Sequence, residues 1–213
     1  VGGDPTFGSE VTKLIHKLLE NPLIFRIQQY ICNNYGNVRR EFGDYLEQDG
    51  LNILDIGCST GTAAKQVIDM NRNFYIGMDL DLPYVRIASR NNPNGNFLVM
   101  DGSNLGFREN LFDVIMFNGV WHHMDDALIR ACMLDLKRVI KRDGVILVAE
   151  PVFTPGKFLS DFFLRRDRGK FIRSELGYQN FFSEYVIHRQ RFFNFSLHRF
   201  VSFVASPKVN DEK

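Results

Sequence analysis

The chain has 213 residues, with 26 Lys and Arg against 25 Asp and Glu for a formal net charge of +1. That length suits one domain of ordinary size, with or without a covering segment, and a hydrophobic share of 45% is enough for a proper core. The near-neutral balance supplies no global field to recruit nucleic acid. The cysteines Cys32, Cys58 and Cys132 are widely spaced and form no C-x-x-C pair, so neither a disulfide framework nor a zinc site is indicated. This favours a reducing, cytoplasmic setting. No stretch approaches the ~18 apolar residues of a membrane span. The opening VGGDPTFGSE has neither the basic nor the apolar region of a signal peptide; without a Met, it reads as an expression remnant.

In chain order, residues 9–31 read as helical with a break at Pro22. Val11, Leu14, Ile15, Leu18 and Leu19 share one face there, and the second piece ends at Gly36. Residues 37–50 are helical around VRREFGDYL. Strands are then expected at 52–57, 73–79, 96–101, 112–118 and 144–149, with helices at 62–70, 83–91 and 125–141. The span 102–111 has room for a stub only. Alternating strand and helix imply a parallel sheet covered on both faces. After Pro151 comes a long insertion rich in Phe and Arg, and VIHRQRFFNF and LHRFVSFVAS alternate as a closing pair of strands. The expected organisation is a helical cap over 1–46, a main domain over 47–206 that includes a lid insertion at 152–185, and a flexible tail at 207–213.

The stretch NILDIGCSTGTA, residues 52–63, is a buried strand followed by a turn of small residues and a helix start that Thr60 or Thr62 can cap. Such a turn lets a ligand approach backbone N–H groups closely. A dinucleotide site wants G-x-G-x-x-G here. Counted from Gly57, the second and third positions are Ser59 and Thr62, so an NAD enzyme is disfavoured. Asp55, Gly57, Ser59 and Gly61 instead match acid-x-G-x-G-x-G at three of four places, with Ser for the middle Gly. Four later pieces stand in matching order: FYIGMDLDLPYVRIASR, FLVMDGSNLGF, FDVIMFNGVWHHMDD and LKRVIKRDGVILVAEP. On these residues the chain resembles the class I S-adenosylmethionine-dependent methyltransferases from about residue 50 to 150, and more weakly to 206. It is most similar to the small-molecule branch of ubiquinone and menaquinone methyltransferases, the type 11 kind.

The resemblance implies an α/β, Rossmann-like doubly wound sheet of seven strands in order 3-2-1-4-5-7-6, the last strand antiparallel, with helical lid elements. It also implies methyl transfer from S-adenosylmethionine, leaving S-adenosylhomocysteine and needing no metal. Asp79 would hold the ribose hydroxyls, with Leu80 over the adenine, Asp101 at its amino group, and the Gly102 and Ser103 backbone beside the ring. Gly57, Ser59 and Gly61 would admit the methionine portion, with Asn118 and Gly119 beside it and Asp55 acting indirectly through loop N–H groups or water. For several of these a plain turn or capping role competes.

WHHMDD gathers two His and two Asp, but adjacent residues face different ways, so a metal site is not expected. Asp125 or Asp126 more simply caps the next helix. His122 or His123 is a candidate base, Trp121 a candidate wall, and Glu150 a candidate contact to the acceptor. Arg165, Arg168 and Arg173 form either a solvated face or a site for a phosphate or carboxylate on the acceptor. With the neighbouring Phe residues, 157–173 could also touch an anionic membrane. Tyr30 and Tyr35 could reach the methionine carboxylate or the acceptor. The expected acceptor is a small or lipid-like molecule. The rivals are methylation of RNA or protein and a binding subunit without catalysis; the turn NGVW, where amino-methylating nucleic-acid enzymes carry N-P-P-Y, speaks against nucleic acid.

Overall fold

The computed structural model describes residues 35–153, 170–195 and 198–208. The helix expected at 9–31, residues 154–169 of the expected insertion and residues 209–213 of the tail lie outside them. The seven strands are β1 (Asn52–Ile56), β2 (Phe74–Asp79), β3 (Asn96–Val99), β4 (Phe112–Asn118), β5 (Ile140–Val152), β6 (Tyr185–Phe195) and β7 (His198–Pro207). They form one sheet in the order β3-β2-β1-β4-β5-β7-β6. Strands β1 to β5 pair in parallel, and β7 runs antiparallel to both β5 and β6. This is the sheet that the resemblance implied.

Side chains on successive strand residues point to opposite faces, and the two cores follow that alternation. Leu54, Ile56, Ile76, Met78, Ile115, Phe117, Ile146 and Val148 belong to one. Ile53, Tyr75, Val114, Met116, Leu147 and Ala149 belong to the other. The first is covered by α4 (Asp126–Val139), which buries Ile129, Cys132, Met133, Leu136 and Val139 at helical spacing. The second is covered by α1 (Tyr35–Leu46) through Val38, Phe42 and Leu46, and by Ala64 and Val67 of α2 (Thr62–Val67). Next in the chain after α2 and β2 comes α3 (Leu82–Asn91), capped by Asp81, whose side chain accepts from Tyr84 N. Asp125, rather than Asp126, caps α4 by accepting from Leu128 N. A short α5 (Glu175–Gln179) precedes β6.

Several bounds differ from expectation. Helix α2 ends at Val67, where Ile68 turns extended. Neither threonine caps it: the N-cap is Gly61 without a side-chain bond, and the Thr60 and Thr62 hydroxyls pair with each other at 2.8 Å. Strand β5 starts four residues early, and its register against β4 shifts between Phe112 and Val114. Gly144 makes that crowded start feasible, since a Cβ there would stand 3.0 Å from the carbonyl oxygens of both Phe112 and Asp113.

The carboxyl ends of the central strands stand side by side. Ile56 pairs with Met78 and Phe117, and Asn118 pairs with Ala149. Parallel sheets bind ligands beyond these ends, and the segments 57–61, 79–82, 101–103 and 118–123 all leave from them.

Candidate active site

The turn after β1 uses the left-handed conformation at every second residue: φ is +78° at Gly57, +50° at Ser59 and +69° at Gly61. Gly57 N and Cys58 N both donate to Met78 O, at 2.8 and 3.0 Å, and Gly61 N donates to Cys58 O at 2.9 Å. A side chain at Gly57 would collide with Val120, whose Cγ2 lies 2.5 Å from where a Cβ would sit. Ser59, standing where the motif has its middle glycine, therefore carries the backbone strain of an L-residue in the left-handed region. Its Oγ is buried and has no partner among the described residues.

Asp79 ends β2 half-buried. Its Oδ2 accepts from Ser59 N and its Oδ1 from Asp81 N, both at 2.9 Å. Burial raises its carboxyl above the ordinary range, and the backbone N–H groups of Asp81, Ser59 and Leu80 oppose that rise. Asp55 was expected to act indirectly, through loop N–H groups or water, or as a buried acid; its side chain faces the core at 3% exposure and accepts from Tyr75 OH at 2.7 Å. Burial pushes Asp55 up to about 7, the Tyr75 hydroxyl lowers it, and the nearby Asp79 charge raises it further. The acid that grips the turn is thus Asp79, one strand over. Tyr75 escaped notice in the sequence because only the Asp55–Gly77 register, which sets β2 beside β1, brings it near.

Leu80 projects outward at 68% exposure. Asp101 is exposed, with Oδ1 accepting from Ser103 N at 2.9 Å, and Gly102 and Ser103 are half-buried. Asn118 ends β4, and Gly119 follows with φ +70°, donating its N–H to Ala149 O at 2.8 Å.

Glu150 does not stand in the open where an acceptor would meet it. It is wholly buried. Its Oε1 accepts from Val120 N and Trp121 N, each at 2.7 Å, and its Oε2 accepts from His122 N at 3.2 Å and lies 2.7 Å from His122 Nδ1. The signal for this was adjacency: β5 ends beside β4, so an acid there meets the N–H groups of the turn leaving β4. Trp121 is likewise not a wall. It is 0% exposed and packs against Phe117, Tyr178, Phe181 and Phe182. His122 is buried and His123 exposed, with their rings 4.0 Å apart.

Arg173 is committed to structure. It donates to Asp126 Oδ1 and to the carbonyls of Trp121, Met124 and Phe171 at 2.6–3.0 Å. Its guanidinium also lies 5.1 Å from the Phe181 ring centre. Tyr30, Arg165 and Arg168, and the rest of 157–169, lie outside the described residues. Tyr35 opens α1, and its side chain is not among those described. Among the described residues no group of three or more His, Cys, Asp or Glu could hold a metal ion, and no helix is long and apolar enough to cross a membrane.

Residues 53–144 match the family described as a methyltransferase domain. The chain is 25% identical over 120 residues to a demethylmenaquinone methyltransferase of Renibacterium salmoninarum, covering 55% of this chain and 49% of the relative. It is 28% identical over 138 residues to the tRNA (carboxymethyluridine(34)-5-O)-methyltransferase of Arabidopsis thaliana, covering 61% and 33%. The chain thus spans half or less of the length of these curated relatives. Among solved structures, a SAM-dependent methyltransferase of Methanosarcina mazei superimposes with a TM-score of 0.65 at 17% identity, covering 78% of this chain and 96% of that one. The match lies across the turn, Asp79, Asp101 and the end of β4, and residues 53–144 are thus similar to a methyltransferase domain.

Proposed function

We propose that the protein transfers a methyl group from S-adenosylmethionine to a small or lipid-like acceptor. The observation that carries this reading is the turn itself. Three left-handed residues at 57, 59 and 61 are pinned to Asp79 through Ser59 N, and beside them a buried serine hydroxyl has no partner among the described residues. An orphan buried polar group is rare and calls for a ligand that satisfies it.

The residues fit the cofactor by donor and acceptor chemistry. Asp79, anchored by two N–H groups, retains acceptor capacity for two vicinal ribose hydroxyls. Leu80 offers an apolar cover, and Asp101 with the Gly102–Ser103 backbone suits the edge of the adenine. Gly57, Gly61, Asn118 and Gly119 suit the amino-acid end, and the Ser59 hydroxyl is available to it. Asp55 lies beneath the turn, bonded to the Tyr75 hydroxyl. When bound, the cofactor supplies an activated methyl group on a positive sulfur. The protein's share is then placement and exclusion of water. The chain's resemblance to menaquinone methyltransferases supports a small or lipid-like acceptor. A tRNA methyltransferase among the relatives favours a second reading, an RNA acceptor; the net charge of +1 weighs against it.

The test is incubation with tritiated-methyl S-adenosylmethionine and, separately, a small-metabolite extract, a lipid extract and total RNA. Label appearing in the metabolite or lipid fraction is the expected result. Label in RNA alone would replace the first reading with the second.

A further inference from the structure

We propose that the outer edge of the β6–β7 hairpin, centred on Phe192 and the Arg199 stacked over it, is a docking surface for an anionic lipid membrane. It rests on the methyltransferase reading above only for its consequence: a membrane held here brings a lipid-like acceptor to the end of the sheet that carries the 57–61 turn.

Strand β6 pairs only with β7 and so forms one edge of the sheet. The segment 185–207 that makes the two strands holds Arg189, Arg191 and Arg199 and no Asp or Glu. Arg189 is committed to α1, where it bonds Asp44 and the Glu41 carbonyl. Arg191 is exposed, and neither it nor Arg199 has an acidic partner among the described residues. The Arg199 guanidinium lies 4.0 Å from the Phe192 ring centre, yet Phe192 stays 39% exposed. Val186 at 45% and Leu176 at 69% add apolar surface. Leu176 belongs to α5, which the bond from Gln190 to Glu175 holds against β6.

Charges on an edge strand also guard it against pairing with other strands. A guard has no use for exposed Phe and Val, and here they sit among the cations. An anionic membrane takes both: guanidinium groups meet the headgroup phosphates while apolar side chains enter the acyl boundary. A second copy of this chain is disfavoured by charge, since β6 against β6 sets arginines beside arginines. RNA is disfavoured by the ring, because Arg199 occupies a face of Phe192 on which a base would stack.

The surface is at the ligand-binding end of the sheet. Arg199 stands opposite Val152 at the carboxyl end of β5, and Phe192 stands opposite Val201, two residues further along β7. The 57–61 turn leaves the same end of β1, which lies three strands from β7 in the order β1-β4-β5-β7. At about 4.8 Å per strand that is ~14 Å across the sheet, and ~19 Å to β6. One leaflet's hydrocarbon is ~15 Å deep, so a single lipid chain covers a distance of this order.

The test is co-sedimentation of the whole chain with phosphatidylcholine vesicles, with and without phosphatidylglycerol. The proteins are wild type, the double variant Arg191→Gln with Arg199→Gln, Phe192→Ser, and Arg142→Gln. Arg142 is exposed near the opposite end of β5 and controls for loss of charge elsewhere. The expected result is binding that needs phosphatidylglycerol and fades with salt. A cation near an anionic surface contributes about fivefold, so the double variant should bind about 30-fold more weakly. Phe192→Ser should weaken binding while keeping the wild-type salt dependence, since no charge is lost, and Arg142→Gln should match wild type. Should Phe192→Ser fail to fold, the arginine variants decide. No sedimentation with either vesicle, binding indifferent to the double variant, or an equal loss in Arg142→Gln overturns the proposal. So does retention of total RNA on a filter in place of vesicle binding. Titration with S-adenosylhomocysteine in the absence of vesicles tests the methyltransferase reading by itself, so the two failures are separable.

Discussion

Ser59→Gly should make the protein more stable and its ligand binding weaker, an opposition of sign that few substitutions produce. Ser59 sits at φ +50°, a conformation that costs an L-residue about 1–2 kcal/mol. Glycine removes that cost but loses about 0.5–1 kcal/mol of chain entropy on folding, a net gain of about 0.5–1 kcal/mol. The Oγ removed is buried without a partner among the described residues. Relief of an unsatisfied buried group contributes at least about 1 kcal/mol. The sum, about 1.5–2 kcal/mol, corresponds to a rise in Tm of about 3–8 °C for a domain of this size. If the hydroxyl is held in reserve for the cofactor, the same variant loses one hydrogen bond to it. That is about 0.5–1.5 kcal/mol, or a Kd for S-adenosylhomocysteine raised roughly 2–10-fold. Thermal unfolding and isothermal titration on the same preparation read both effects. A Tm that falls or stays level would refute the strain argument, and unchanged affinity would refute the role given to the hydroxyl.

Asp79→Ala should weaken S-adenosylhomocysteine by about 1.5–3 kcal/mol, the scale of hydrogen bonds to a charged group. Urea unfolding should register less than about 1 kcal/mol, because the two lost N–H bonds are offset by relief of a carboxylate that burial already disfavours. Asp55→Asn tests linkage. The folded carboxyl keeps its proton up to about 7 against an ordinary value of 3.8, so the folded state binds more protons between these limits and wild-type stability falls as pH rises through them. The variant should lack this slope, matching wild type near pH 4 and exceeding it above pH 7 by on the order of 4 kcal/mol. Denaturant midpoints at both ends of the range check it, and a variant less stable than wild type at pH 8 would reverse the sign. Arg173→Ala removes a guanidinium that joins Asp126 to three backbone carbonyls. It should lower stability by roughly 2–3 kcal/mol and Tm by about 4–12 °C, without altering S-adenosylhomocysteine affinity; intact stability with a changed acceptor KM would return Arg173 to substrate recognition.

The strands were legible because their signals are local, while their order was an implication of the resemblance. Runs such as ILDI and FDVIMFN alternate between two buried faces, and glycines close them, so β1 and β4 came within a residue of their bounds. The turn was legible too, down to the serine in a glycine's place. Contacts that cross the sheet were not. Asp55 and Tyr75 stand twenty positions apart, and only the β1–β2 register joins them. Glu150 looked like a group facing the acceptor because it ends a strand at the right edge, yet the turn after β4 folds back over it and takes both its oxygens. Trp121 was misread for a related reason. Its neighbours in sequence stand at the strand ends, but a single tight turn, Trp121–His123, swings the indole into the core. Arg173 resembled its charged neighbours in composition, and nothing local distinguishes an Arg that reaches four acceptors from one that reaches water.

The central claim is that the turn at 57–61 with Asp79 binds the adenosine and amino-acid portions of S-adenosylmethionine. The most direct measurement is isothermal titration of the purified protein with S-adenosylhomocysteine, with NAD titrated in parallel. The expected result is saturable one-to-one binding of S-adenosylhomocysteine, weakened by Asp79→Ala, and no heat with NAD. Folded protein that binds NAD, or that gives no heat with S-adenosylhomocysteine, would contradict it.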